Sequence, residues 1–391
     1  MLNTSLSPWP SFTQEEADAV SKVLLSNKVN YWTGTECREF EKEFATFAGT
    51  QYAVALSNGT LALDVALKAM GIGAVDDVIV TSRTFLASAS CIVTAGANPV
   101  FADVDLNSQN ISAETIKAAL TPNTKAIIVV HLAGMPAEMD GIMDLAKEHD
   151  LWVIEDCAQA HGAKYKGKSV GSIGHVGAWS FCQDKIMTTG GEGGMVTTND
   201  KELWSKMWSY KDHGKSYDAV YHREHAPGFR WLHESFGTNW RMMEMQAVIG
   251  RIQLKRMPEW TARRQAHAAK LAESLGKFAS IRLIEVADYI EHAQYKFYAF
   301  VKPEHLKEGW TRDRIVSELN ARKVPCYQGS CSEVYLEKAF DNTPWRPKER
   351  LKNAVELGDT SLMFLVHPTL TDDEIAFCKE HIEAVLAEAT A

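Results

Sequence analysis

No apolar run in this sequence is long enough to cross a membrane; the longest, such as Ala126 to Val130, are strand-sized. Positive charge is in deficit: 41 Lys and Arg stand against 50 Asp and Glu, a net charge of −9. That excludes the broad electropositive footprint of a nucleic-acid binder and leaves room only for a local basic pocket. A disulfide framework is also missing, because the seven cysteines are an odd number with no C-x-x-C spacing. They read as free buried thiols in a reducing compartment, and no metal site is predicted. The opening MLNTSLSPWPSFTQEEADAV has neither a basic n-region nor a continuous apolar h-region. No secretory signal is therefore expected, and the predicted location is cytoplasmic. Internal repeats and low-complexity segments are lacking too.

What remains is the composition of a globular chain with a large core: 391 residues, 46% hydrophobic and 23% charged. The first 50 residues read as helical. Thr13-Gln-Glu-Glu opens one stretch in capping-box style. Phe40, Phe44 and Phe47 stripe another, stopped by Gly49. From residue 51, short apolar runs recur at Tyr52–Leu56, Val78–Thr81, Pro99–Asp103, Ala126–Val130 and Trp152–Glu155. Amphipathic stretches such as Leu61–Met70 and Glu138–His149 lie between them. This alternation predicts βαβ units and a mainly parallel sheet buried on both faces. Beyond Asn199, a polar stretch from Asp212 to Thr238 reads as a long loop, and loops of that length tend to be functional. A long helix is predicted over Met243 to Leu275, interrupted at Pro258. The rest alternates strands (Ile281–Val286, Lys296–Val301) and helices (Thr311–Leu319, Asp372–Ala387), the outline of a smaller α/β domain. Residues 1–250 are thus assigned to the large domain and 251–391 to the long helix and small domain.

Ligands of parallel sheets sit at the carboxyl ends of the strands, so the residues following each run matter most. After the first comes Ser57-Asn58-Gly59-Thr60 and a helix, a start that suits phosphate but is also ordinary capping. After the second comes Arg83-Thr84-Phe85, where Phe85 could stack on a ligand ring or fill the core. Trp152–Ile154 leads into Glu155-Asp156-Cys157-Ala158-Gln159-Ala160-His161-Gly162. There Asp156 points at a cationic partner, or caps a helix, three residues before Gln159. Ala178-Trp179-Ser180-Phe181 is followed by Lys185 and then by Gly190-Gly191-Glu192-Gly193-Gly194. A lone lysine is usually solvated surface. A phosphate cradle, an aromatic face, a buried acid, a hydroxyl and a lysine at one sheet edge together match pyridoxal 5′-phosphate (PLP). That cofactor needs a lysine for a Schiff base and an acid to keep its pyridine nitrogen protonated.

With these stretches, and with Tyr31-Trp32-Thr33-Gly34, Phe40-Glu41, His131-Leu132-Ala133-Gly134-Met135-Pro136 and Gly237-Thr238-Asn239-Trp240-Arg241-Met242, the sequence resembles the DegT/DnrJ family of PLP-dependent nucleotide-sugar aminotransferases over essentially its whole length. The resemblance implies a fold-type I aminotransferase working as a homodimer with shared active sites. It implies Lys185 as the Schiff-base lysine and proton shuttle, Asp156 on the pyridinium nitrogen, and Gln159 on the ring hydroxyl. Phe85 would stack on the ring, Gly59, Thr60 and Ser180 would hold the phosphate, and Asn239 would reach it from the partner subunit. His161 lies beside this set with no role assigned. Substrate contacts are expected among Tyr31, Trp32, His213, Arg241 and Tyr327. The implied reaction carries an amino group from L-glutamate to a keto-sugar nucleotide, at C4 of a 4-keto-6-deoxyhexose, in amino-sugar and lipopolysaccharide O-antigen biosynthesis. Amination at C3 is the alternative. A 3-dehydratase of the family carries His where Lys185 stands, and a non-catalytic relative would not need Lys185, Asp156 and Gln159 intact. The sequence departs from the family in its doubled glycine before Glu192 and in Trp240, where Tyr is more frequent.

Overall fold

The computed structural model describes residues 6–228 and 230–391. Seven strands form the central sheet: β1 (Tyr52–Leu56), β2 (Asp77–Thr81), β3 (Asn98–Ala102), β4 (Thr124–Val130), β5 (Trp152–Asp156), β6 (Val176–Ser180) and β7 (Gly194–Thr198). Their order across the sheet is β1-β7-β6-β5-β4-β2-β3. Pairing is parallel from β6 to β3, and β7 alone runs antiparallel to both of its neighbours. The strands read as unbroken apolar runs because both faces are covered. Val78, Val80, Ile128 and Ile154 pack on one side, Ile79, Ile127, Val129 and Val153 on the other. Phe40 and Phe44 of the Glu36–Ala48 helix join the first cluster, as their spacing predicted, and Phe47 is packed against it, half-buried.

A four-stranded antiparallel sheet forms the second layer, in the order 281–283, 297–301, 361–364, 326–327. The helices Glu244–Leu275 and Asp372–Ala389 cover it through Leu271, Leu275, Ile382 and Leu386. The expected interruption at Pro258 does not occur: the helix runs unbroken for 32 residues. A proline inside a helix removes one hydrogen bond and crowds the preceding turn. Here Met257 and Trp260 are buried on either side of it. The flanking helix is also pinned, upstream by the Gln14–Leu25 and Glu36–Ala48 helices and downstream by the C-terminal helix. The 250/251 position falls inside this helix. The polar 212–238 stretch is less irregular than expected, with a short helix at Tyr217–Tyr221 and a Lys215–His233 bridge. Among the described residues no helix is long and apolar enough to cross a membrane. None of the seven cysteines is paired.

Candidate active site

Because β1, β2, β4, β5 and β6 all point the same way, their carboxyl ends open on one cavity of about 620 Å³. Gly59, Thr60, Phe85, Asp156, Gln159, Ser180 and Lys185 all line it. Asn58 caps the Gly59–Ala69 helix by accepting a hydrogen bond from Leu61 N–H at 3.0 Å, so the helix starts at the cavity wall. The first-turn N–H groups of Gly59 and Thr60 have no acceptor within the helix and suit an anion. Gly59 also sits directly on the strand end: a Cβ there would lie 2.5 Å from the Ser180 Cβ. Only glycine allows that approach.

Asp156 ends β5 and is buried. Its carboxylate accepts from Ser88 Oγ at 2.8 Å and from Ala158 N–H at 3.1 Å, and Thr84 Oγ1 lies 2.9 Å from the same Ser88 hydroxyl. With its proton given to Asp156, Ser88 accepts from Thr84, so the three form one directed chain. Burial pushes the Asp156 carboxyl above its ordinary range, against the hydrogen bonds and the Lys185 charge that pull it down. Such a group gains from a cation in the cavity. Gln159 Oε1 accepts from Ala133 N–H at 2.8 Å, which fixes the amide and leaves its NH2 without a partner among the described residues.

Lys185 lies on the turn between β6 and β7. The doubled glycine is accommodated because Gly190 and Gly191 take φ of 86° and 125°, left-handed values that disfavour other residues. Thr188 and Thr189 tie the turn back to Phe181 O, and Gly191 pairs with Cys182. The Lys185 ammonium sits 3.9 Å from Asp184 Oδ1 and 5.3 Å from the centre of the Tyr295 ring. Trp9 donates its indole N–H to the Lys185 carbonyl at 2.9 Å. Nothing in the sequence singled out Trp9, Asp184 or Tyr295. Only the position of Asp184, next to Lys185, was a usable signal.

The remaining candidates lie outside the cavity within one chain. Asn239 is exposed and bridges Asp212 through its backbone. Arg241 binds the Asp212 carboxylate at 2.5 Å, and His213 is exposed. Trp32 stands beneath the Lys215 ammonium, 4.2 Å from its ring centre. Tyr31 is buried rather than open to a ligand: its hydroxyl donates to Glu41 and accepts from Trp208, with Lys211 3.5 Å above its ring. Tyr327 belongs to the small sheet. His161 is fully buried among Phe44, Trp179 and Phe181, and burial lowers its pKa to about 3. It is a neutral packing residue. Among the described residues one cluster has metal-ligating composition, His131, Glu155 and Cys157. The lone pairs of its carboxylate and imidazole are already taken, since Glu155 accepts from His131, Gly171, Ile173 and Gly174, and His131 Nδ1 accepts from Ala137 N–H, while the Cys157 thiol donates to Glu155 O.

A lysine, a buried acid, a fixed amide and a glycine-lined helix start in one cavity fit PLP. Residues 10–383 match the DegT/DnrJ/EryC1/StrS aminotransferase family. The chain belongs to that family. It is 42% identical over 377 residues to the GDP-perosamine synthase of Escherichia coli O157:H7, covering 95% of this chain and 96% of that one. It is also 42% identical over 363 residues to the UDP-N-acetyl-3-dehydro-alpha-D-glucosamine 3-aminotransferase of Acidithiobacillus ferrooxidans, covering 91% and 90%. The crystal structure of an aminotransferase from Psychrobacter cryohalolentis superposes with a TM-score of 0.96 at 65% identity, covering 98% and 99%. The fold is that of the PLP-dependent sugar aminotransferases, and PLP is the cofactor.

Proposed function

We propose that this aminotransferase carries an amino group from L-glutamate to a keto-sugar nucleotide, with C4 of a 4-keto-6-deoxyhexose as the acceptor carbon, in the cytoplasm and in the service of a surface polysaccharide. The observation that carries the reading is the convergence of Lys185, Asp156 and Gln159 on one cavity. When bound, PLP supplies the electron sink that loosens the donor's Cα–H bond. Every other part of the work falls to the chain. Lys185 anchors the cofactor and, once released, carries a proton between the donor Cα and the cofactor carbon. Asp156 keeps the ring nitrogen protonated, held in place by Ser88 and Ala158. Gln159 donates its free NH2 to the ring hydroxyl. Gly59, Thr60 and Ser180 hold the phosphate, and Phe85 stacks on the ring.

The working unit in this reading is a homodimer. Phe85 is 70% exposed on the cavity wall of one chain, and Asn239 is exposed and does not line its own chain's cavity. Both facts favour a second copy that covers the first and brings Asn239 of the partner subunit to the phosphate.

Amination at C3 is the second reading, favoured by the A. ferrooxidans relative whose name places the amine there. Incubation with PLP, glutamate and a panel of 3-keto and 4-keto nucleotide sugars, following 2-oxoglutarate and locating the new amine by NMR, separates the two. Release of 2-oxoglutarate with no panel member would overturn both.

A further inference from the structure

Tyr295 enters the 297–301 strand of the small sheet and is held at four points. Its N–H donates to Ala133 O at 2.9 Å, its carbonyl accepts from Arg264 at 3.3 Å, and its ring is buried. The fourth point is its hydroxyl, which donates to Asp184 Oδ2 at 2.5 Å. Burial and the Asp184 charge keep the phenol protonated, so it remains a donor. Burial raises the Asp184 carboxyl, but Lys185, the Tyr295 hydroxyl and Lys296 outweigh it and hold it ionised. The other oxygen of this carboxylate is the one 3.9 Å from Lys185 Nζ, while the same Nζ lies over the Tyr295 ring. A second ammonium, Lys296, lies over that ring at 4.8 Å.

We propose that Asp184 and Tyr295 are positioning residues that form a resting place for Lys185: an anchored carboxylate and a ring face hold its ammonium group in one position whenever the amine is not joined to the cofactor. The proposal rests on the reading of Lys185 as the cofactor lysine. A long flexible side chain that must leave and return to one atom loses rotamer entropy on each return. A fixed partner for its free state limits that loss. A salt bridge and a cation–π contact at a partly exposed site are each modest, so the amine is held without being trapped. Lys296, over the same ring, repels a second positive charge and weakens the hold further. The charged and titratable groups facing Lys185 are Asp184 and Cys182 on its own turn, Asp156 from β5, His161, and Lys296 with Tyr295 from the small sheet; Arg264 of the long helix acts on the last two.

The test uses the PLP-free protein. Lys185 is modified with trinitrobenzenesulfonate across a pH series, and the extent is read by peptide mass mapping. Asp184→Asn removes the anion. The Lys185 amine should then react about two- to fivefold faster at fixed pH. Asp184→Glu should return toward the parent rate, and because burial lowers Lys296 to about 8, Lys296→Met should slow the reaction only below that pH. Tyr295→Leu, which removes both ring and anchor, should resemble Asp184→Asn, with Tyr295→Phe between it and the parent. Asp184 is 60% exposed, so its variants keep the fold, as circular dichroism would verify. Superimposable profiles for the parent and Asp184→Asn would overturn the proposal, as would Asp184→Glu behaving like Asp184→Asn. Borohydride trapping on the PLP-loaded parent reports separately whether Lys185 is the cofactor lysine.

Discussion

The indole N–H of Trp9 donates to the carbonyl oxygen of Lys185 at 2.9 Å, a contact between residues 176 positions apart. Trp9 is itself held edge-on by Trp260 at 5.1 Å and lies beside the Arg264 guanidinium at 5.0 Å. The N-terminal segment and the long helix thus fix the backbone from which the lysine projects. Trp9→Phe keeps the ring packing and deletes the donor. The hydrogen bond contributes about 1 kcal/mol. The melting temperature should fall by a few degrees at most, while kcat falls roughly two- to tenfold through misplacement of Lys185. Parental values of both would show that the contact positions nothing.

Asp156→Asn should separate activity from stability. If Asp156 faces the pyridinium as proposed, loss of its charge removes a charge-assisted hydrogen bond of about 1.5–3 kcal/mol, roughly ten- to a hundredfold in kcat. In the PLP-free protein the sign reverses. Burial raises the folded-state pKa of Asp156, so the folded state binds that proton more tightly than the unfolded one. Its ionised form then costs stability as pH rises from the unfolded value through the folded one, and the cost persists at neutral pH. The PLP-free variant should therefore melt at or above the parental temperature. A drop of many degrees would mean that Asp156 holds the fold together.

Three buried histidines, His161, His292 and His367, have pKa values lowered to about 3, chiefly by burial. The unfolded chain takes up these protons near pH 6.5, whereas the folded chain does not until about pH 3. Their contribution is complete above pH 6.5 and is lost as pH falls from there toward 3. Melting temperature should decline across that window, and His161→Phe should make the decline shallower. An equally steep decline in the variant would place the acid sensitivity elsewhere.

The proposed shared active sites predict complementation. Lys185→Ala and an Asn239→Ala variant that binds PLP too weakly to work should each be inactive. After subunit exchange, each heterodimer has one doubly damaged site and one intact site, so activity should return to at most half the parental level. A mixture that stays inactive after demonstrated exchange contradicts the composite site.

The central sheet was legible because it is buried on both faces, so Val78–Thr81 and Ala126–Val130 carry no exposed period to confuse them with helix. The cavity was legible because a parallel sheet sends its strand ends to one edge, where Asp156 closes its strand and Gly59 and Lys185 lie in the segments that follow theirs. What escaped is tertiary. Asp184 and Tyr295 are 111 positions apart, and their meeting depends on how the small sheet docks. Pro258 misled because packing on its flanks outweighs a local penalty. The resemblance places Tyr31 among the substrate contacts, whereas Glu41, Trp208 and Lys211 enclose it within one chain. His161 sits one residue from buried Ala160, and only its surroundings reveal that it is an aromatic filler.

The role of Lys185 is tested most directly by borohydride reduction of the PLP-loaded protein, followed by digestion and peptide mass mapping. With Lys185 as the cofactor lysine, a single phosphopyridoxyl group is expected on Lys185, with loss of the yellow colour and permanent loss of amine transfer from glutamate in proportion to labelling. A label on another lysine, or full activity in protein whose Lys185 is completely labelled, would contradict that role.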